Sequence, residues 1–118
     1  MSASSDVRSS LPLGAATFYI LLALAGGDRH GYGVIKEVEA QTAGAVKLGP
    51  GTLYRLIKQL LADGWIAEID GDAGDDERRR TYRLSSRGRA IARAEAERLD
   101  DLVTVARKRN LLPALAHG

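Results

Sequence analysis

Apolar residues recur along this chain with two different periods, and the changes of period divide it into segments. Leu53, Leu56, Ile57, Leu60 and Leu61 fall at i, i+3, i+4, i+7 and i+8, one stripe of an α-helix. Pro50 suits the first turn, where its missing N–H has no partner, and Gly64 suits the position after the last turn. The spacing predicts a helix from about Pro50 to Asp63. An earlier helix is expected from Pro12 to Ala25, apolar on every side and stopped by Gly26 and Gly27. A second is expected to start near His30 or Gly31 and to carry Tyr32, Val34, Ile35, Val38 and Ala40. After Gly64 the period drops to two. "WIAEID" and "TYRL" read as strands, with Trp65, Ala67 and Ile69 sharing one face of the first and Tyr82 and Leu84 one face of the second. They flank the charged loop "GDAGDDERRR" and so form a hairpin. "AVKL", just before the helix at Pro50, has room for one short strand. Ser85 offers an N-cap for a long last helix reaching about Arg109.

The order helix, helix, helix, hairpin, long helix predicts a mainly α fold of the α+β class, a winged helix-turn-helix. In that plan the third helix enters the DNA major groove while the hairpin touches the flanking backbone. The 118 residues suffice for one domain. The expected divisions are a flexible tail over 1–10, the DNA-binding domain over 11–84, a dimerisation helix over 85–109 and a second tail over 110–118. Residues 9–27 carry no charge, which raises the question of a membrane span or signal-peptide core ending in Ala23-Leu24-Ala25. Pro12, Gly14, Gly26 and Gly27 leave only about ten well-packed apolar residues between them, against the ~20 that a span needs. A buried helix, with no membrane involved, is the expectation.

Charge adds to this picture through its placement. The net charge is only +2, yet 13 of the 17 basic residues are arginine, the side chain suited to planar contact with phosphate. The outward face of the helix at Pro50 carries Thr52, Arg55, Lys58 and Gln59, with Tyr54 to one side and no carboxylate until Asp63. Lys47 lies just ahead of it, and Gly49 and Gly51 let a phosphate approach the backbone of its first turn. Thr52 and Tyr54 hydroxyls would fix register on the DNA backbone, while Arg55 and Lys58 reach base edges or phosphates. Arg78, Arg79 and Arg80 stand at the base of the hairpin, where phosphate contacts are expected, but Asp70, Asp72, Asp75, Asp76 and Glu77 precede them. Such a tip either folds away from DNA or pairs its acids with the arginines.

Other chemistries find little support. The absence of cysteine excludes disulfides and thiolate metal sites. "LGPGT" has no lysine where a phosphate-binding P-loop requires one, and Gly74 and Asp75 break a calcium-loop pattern. His30 has no partner cluster for a metal and is expected to cap the second helix or pack near its turn. Tyr32 has two open roles, in the core or on the DNA backbone. No nucleophile stands against a base, so no catalytic residue, cofactor or metal is expected.

The last helix carries Ala92, Ala96, Leu99, Val103 and Ala106 at alternating spacings of four and three, a heptad seam that Leu102 widens. One core of this size cannot readily cover both that helix and an all-apolar first helix. A second copy, packing its last helix on the first helix, would solve both problems and would set two recognition helices ~34–36 Å apart.

"HGYGVIKEV" (30–38), "LGPGTLYRLIKQLLADGWI" (48–66) and "RRRTYRLSSRG" (78–88) together resemble the signature stretches of the PadR family of bacterial transcriptional regulators. The resemblance covers about residues 11 to 105 and is closest to the short subgroup with a single C-terminal helix. It implies a cytoplasmic homodimeric repressor that binds palindromic double-stranded DNA and releases it to a small molecule. An effector site would lie between the first helix and the dimer helices, with Phe18 and Tyr19 as its aromatic candidates. Relatives that trap flat drugs use aromatic residues on the last helix, and none occurs here after Tyr82. A pocket for planar drugs is therefore not expected, and Phe18 and Tyr19 read better as core. The competing reading is a winged-helix protein-interaction module without DNA binding, which the acidic wing favours.

Overall fold

The computed structural model describes residues 7–69 and 80–114. Its elements are α1 (Ala15–Ala25), β1 (Arg29–His30), α2 (Gly31–Gln41), α3 (Pro50–Ala62), β2 (Ile66–Ile69), β3 (Thr81–Leu84) and α4 (Ser86–Lys108). This is a winged helix-turn-helix followed by a long helix. Val7, within the expected tail, packs against the core; residues 1–6 and 115–118, with His117, lie outside the described residues.

α3 begins and ends where its sequence dictates. Pro50 occupies the first turn, Asp63 is the C-cap, and Gly64 has φ +76, the left-handed conformation that favours glycine. Its buried stripe is Leu53, Ile57 and Leu60, flanked by the half-buried Leu56 and Leu61. The start of α4 is equally determined. The Ser85 hydroxyl accepts from the Gly88 N–H at 3.0 Å and donates to the Gly64 carbonyl at 2.7 Å, and the Ser85 N–H donates to the Trp65 carbonyl at 3.0 Å. One serine thus joins the end of α3, the entry to β2 and the cap of α4. Gly88 is buried directly on the Trp65 carbonyl, where a side chain would collide.

The sheet differs from expectation in two respects. "AVKL" forms no strand: the Val46 N–H donates to the Thr42 hydroxyl at 3.1 Å, and Leu48 tucks into the core. The third strand is instead β1, which pairs antiparallel with β3 through Arg29↔Tyr82 and His30↔Thr81, giving the order β1-β3-β2. Two residues are too few for a period to show. The buried residue of β2 is Ile66, on the face opposite Ala67 and Ile69, and Trp65, just ahead of the strand, packs half-buried against the core. Ile66 pairs with Leu84 and Glu68 with Tyr82, and Ala67 is exposed.

α1 runs through the centre. Ile20, Leu21, Ala23 and Leu24 are buried by α2, by β3 and by the first half of α4. This explains why α1 carries no charge, and it corrects the expected cover. Ile91 and Ala92 of the same chain supply much of what was assigned to a partner, so Ala92 belongs to the subunit's own core. Among the described residues, no helix is long and apolar enough to cross a membrane.

Candidate nucleic-acid interface

Burial of Leu53, Ile57 and Leu60 turns the opposite side of α3 outward, and Thr52, Arg55, Lys58 and Gln59 are all exposed there. Lys47 is exposed beside them. Among the described residues neither Arg55 nor Lys58 has an ion-pair partner. Arg29, Arg80, Arg83 and Arg98, by contrast, are held by Glu37, Glu68, Asp28 and Glu95.

The first turn of α3 is bare. Gly49 is the N-cap and makes no side-chain cap, so the orphan N–H groups of this turn have no side-chain partner at that position. A Cβ at Gly49 or Gly51 would meet nothing within 4 Å. Packing inside the subunit therefore does not require glycine at either place. The two glycines leave a positive helix end open to a close-approaching anion.

Tyr54 stands apart from the outward set. It is half-buried and packs against the core, with its ring over Gly31 at the start of α2. It therefore spaces α3 from α2 instead of standing beside Thr52. The first glycine of "HGYG" was the available sign of this contact, but nothing in local spacing names the ring it accommodates. His30 occupies the N-cap position of α2 without capping it; its Nδ1 lies 2.9 Å from the Thr81 hydroxyl, tying β1 to β3. Tyr32 is 58% exposed, with the Lys36 ammonium 5.3 Å from its ring centroid, so of its two open roles the core one does not hold.

The wing is described only at its root. Arg80 is half-buried, 3.8 Å from the Glu68 carboxylate. Arg78, Arg79 and the five acids at 70–77 lie outside the described residues. Sequence reading missed Arg83. Its guanidinium clasps Asp28 with both carboxylate oxygens, at 2.8 to 3.2 Å, and joins β3 to the turn after α1. The bond to Arg83 holds the Asp28 carboxyl below its ordinary range and Arg83 above its own.

Along α4, burial ends early. Gly88, Ile91, Ala92 and Glu95 are its buried residues, whereas Ala96 and Leu102 are exposed and Leu99, Val103 and Ala106 are half-buried. Phe18 and Tyr19 are half-buried against the core. They line an open groove of about 370 Å³ between α1 and α4, with Leu22 and Leu99.

Residues 20–94 match the Transcriptional regulator PadR-like family. The chain is 31% identical over 84 residues to an uncharacterized protein of Lysinibacillus sphaericus, covering 71% of this chain and 77% of that one. Its fold is similar to that of a PadR family transcription regulator from hypervirulent Clostridium difficile R20291, with TM-score 0.67 and 20% identity over 80% of this chain and 97% of that chain. It is similar, too, to Bacillus subtilis PadR in complex with operator DNA, with TM-score 0.58 and 18% identity over 75% of this chain and 48% of that chain. With the family match spanning α1, α2, α3, the wing strands and the root of α4, the chain belongs to the PadR-like family of transcriptional regulators.

Proposed function

We propose that this regulator works in the cytoplasm as a homodimeric repressor of a palindromic operator, with α3 of each protomer in a major groove. The observation that carries the reading is the exposed, cationic outer face of α3, without an ion pair among the described residues, behind a glycine-opened first turn. Lys47, Gly51 and Thr52 take phosphate, Arg55 and Lys58 reach base edges or phosphate, and Tyr54 holds the helix at its working depth. Arg78, Arg79 and Arg80 add the salt-dependent backbone contacts of the wing.

Dimerisation uses the part of α4 that its own core leaves uncovered. Leu102 and Val105 are 53% and 46% exposed, and Leu22 of α1 is 38% exposed. A second copy burying Ala96, Leu99, Leu102, Val103 and Ala106 would remove this surface from water. The groove beside Phe18 and Tyr19 is a candidate place for a small-molecule effector.

Selecting bound sequences from random DNA with the purified protein tests the reading. Paired half-sites one helical turn apart support it, and binding that falls steeply with salt supports the phosphate contacts. A protein-interaction module without DNA binding is the second reading. The neutralisation of Arg80 by Glu68 and of Arg83 by Asp28 favours it. Recovery of no enriched sequence, with no mobility shift at low salt, would decide for it.

A further inference from the structure

Glu95 is the one acidic residue buried among the described residues, and it is also the last residue of α4 to be buried. One carboxylate oxygen accepts from the Arg98 Nε at 2.6 Å. The other accepts from Arg98 at 2.9 Å and from the Leu13 backbone N–H at 3.3 Å. Leu13 belongs to the segment that leads into α1. Arg98 lies one turn further along α4 itself and orients the carboxylate, so it is the Leu13 N–H bond that ties α4 to the body of the domain, at the very point where the helix leaves it. From residue 96 to the helix end at Lys108 nothing on α4 is buried.

We infer that Glu95 is a positioning residue that sets the angle between α4 and the DNA-binding body, and through it the spacing of half-sites that the dimer accepts. The inference rests on the dimeric operator-binding reading above. Apolar contacts such as Ile91 on α1 are non-directional and tolerate a rocking helix. A buried carboxylate held in place on its own helix by Arg98 meets the Leu13 N–H in one good geometry, and burial makes an unsatisfied alternative costly. Such polar networks are a known means of fixing register and orientation, at no gain in stability over apolar packing.

Leverage makes the angle matter. The 13 residues beyond Glu95 span about 20 Å at the α-helical rise. A change of ~10° at its root displaces the recognition helix by roughly 3 Å relative to the dimer seam, and the two-fold axis doubles this. The total approaches two base-pair steps of ~3.4 Å each. A tilt too small to disturb the core therefore changes which operator fits.

The test compares the full chain with Glu95→Met and Glu95→Gln on DNAs that carry the selected half-sites at the selected spacing and at one base pair more and fewer. Methionine fills the volume without the network, and glutamine keeps the shape without the charge. The parent is expected to lose about tenfold in affinity per base-pair change, the scale of a mismatched pair. Both variants are expected to lose less than about threefold, with methionine flatter, while both stay folded and dimeric and keep an affinity for the half-site near the parental value. Folded, dimeric variants that keep the parental spacing preference would overturn the inference. Variants that lose half-site and spaced-site affinity equally would overturn it as well, because Glu95 would then be structural only. A parent protein that is monomeric, or that selects no paired half-sites, instead removes the dimeric reading and this inference with it, and the parent measurement alone identifies that case.

Discussion

The Tyr54 ring occupies the space that a side chain at Gly31 would need. A methyl group there would meet the tyrosine hydroxyl first and would lie 2.8 Å from Cζ and 2.9 Å from Cε1. α3 and the helix before it thus approach at Gly31, where α2 carries no side chain. The depth of α3 against the domain follows from this contact, since Leu53 and Ile57 bury the adjoining side of the same helix. Tyr54, expected from the sequence on the DNA backbone, is half-buried on the side of α3 that meets α2.

Gly31→Ala should therefore destabilise the domain by ~1–3 kcal/mol through overpacking. The ring is the far end of a side chain and can shift, so the loss should be partial. Tyr54→Leu in the same chain should return part of the stability, and a double-mutant cycle by chemical denaturation reads the coupling. Additive losses from the two substitutions would show that the contact is not as described.

Gly88→Ala should cost more than Gly31→Ala. The group in its way is the Trp65 backbone carbonyl, with Leu84 Cδ1 at 2.9 Å, and neither the carbonyl nor its strand can rotate aside. Since α4 rests on that carbonyl, we expect a loss at or above ~3 kcal/mol, the upper end for overpacking, seen as a lowered melting temperature. A variant as stable as the parent would disprove this close approach.

Elements governed by nearest neighbours in sequence were readable, and those governed by distant partners were not. α3 and α4 could be read almost to the residue because an apolar stripe, Pro50, Gly64 and Ser85 all act within one or two turns. The outward residues of α3 followed as the complement of that stripe. β1 was not readable: two residues become a strand only because Tyr82 and Thr81 lie beside them in space. The clasp of Arg83 on Asp28 spans 55 positions and leaves no local pattern. Ala92 fitted a heptad seam, and only the position of α1 shows that its own core claims it. For β2, alternation gives two faces without saying which is inner, and only the fold shows that the core takes Ile66.

Ser85→Ala removes both the cap on the Gly88 N–H and the bond to the Gly64 carbonyl. We expect a loss of ~1–2 kcal/mol, the range for a well-placed N-cap. Ser85→Asp keeps an acceptor for the Gly88 N–H but no donor for Gly64, so it should recover only part of the loss. Urea unfolding at neutral pH measures both, and equal stability of serine and alanine would show that the tie contributes nothing.

On the DNA face, Arg55→Ala should relax preference at one or two operator positions at a cost of ~1–3 kcal/mol if its guanidinium reads a base edge. A phosphate contact from Lys58 behaves differently: Lys58→Ala should weaken all sequences about equally and lower the salt slope by about one. Gel-shift titrations across a salt series, on selected and unrelated duplexes, separate the two. Parental binding by both variants would remove α3 as the reading surface.

The buried carboxylate of Glu95 predicts the acid limb of stability. The Arg98 hydrogen bonds hold its pKa below the ordinary glutamate value of 4.5, aided by the Leu13 N–H and opposed by burial. A group with a lowered folded-state pKa stabilises the protein at every pH above its unfolded value. As pH falls below about 4.5, the unfolded chain takes up a proton that folded Glu95 still refuses, and stability drains away until the folded pKa is passed. Glu95→Gln cannot take part in this exchange. Its deficit relative to the parent should be largest near neutrality and should shrink as pH is lowered below about 4.5 toward the folded value, as followed by melting temperature from pH 7 down to 3. A deficit that stays constant across that range would mean that Glu95 titrates as an ordinary exposed carboxylate, and the clasp at the root of α4 would not hold charge.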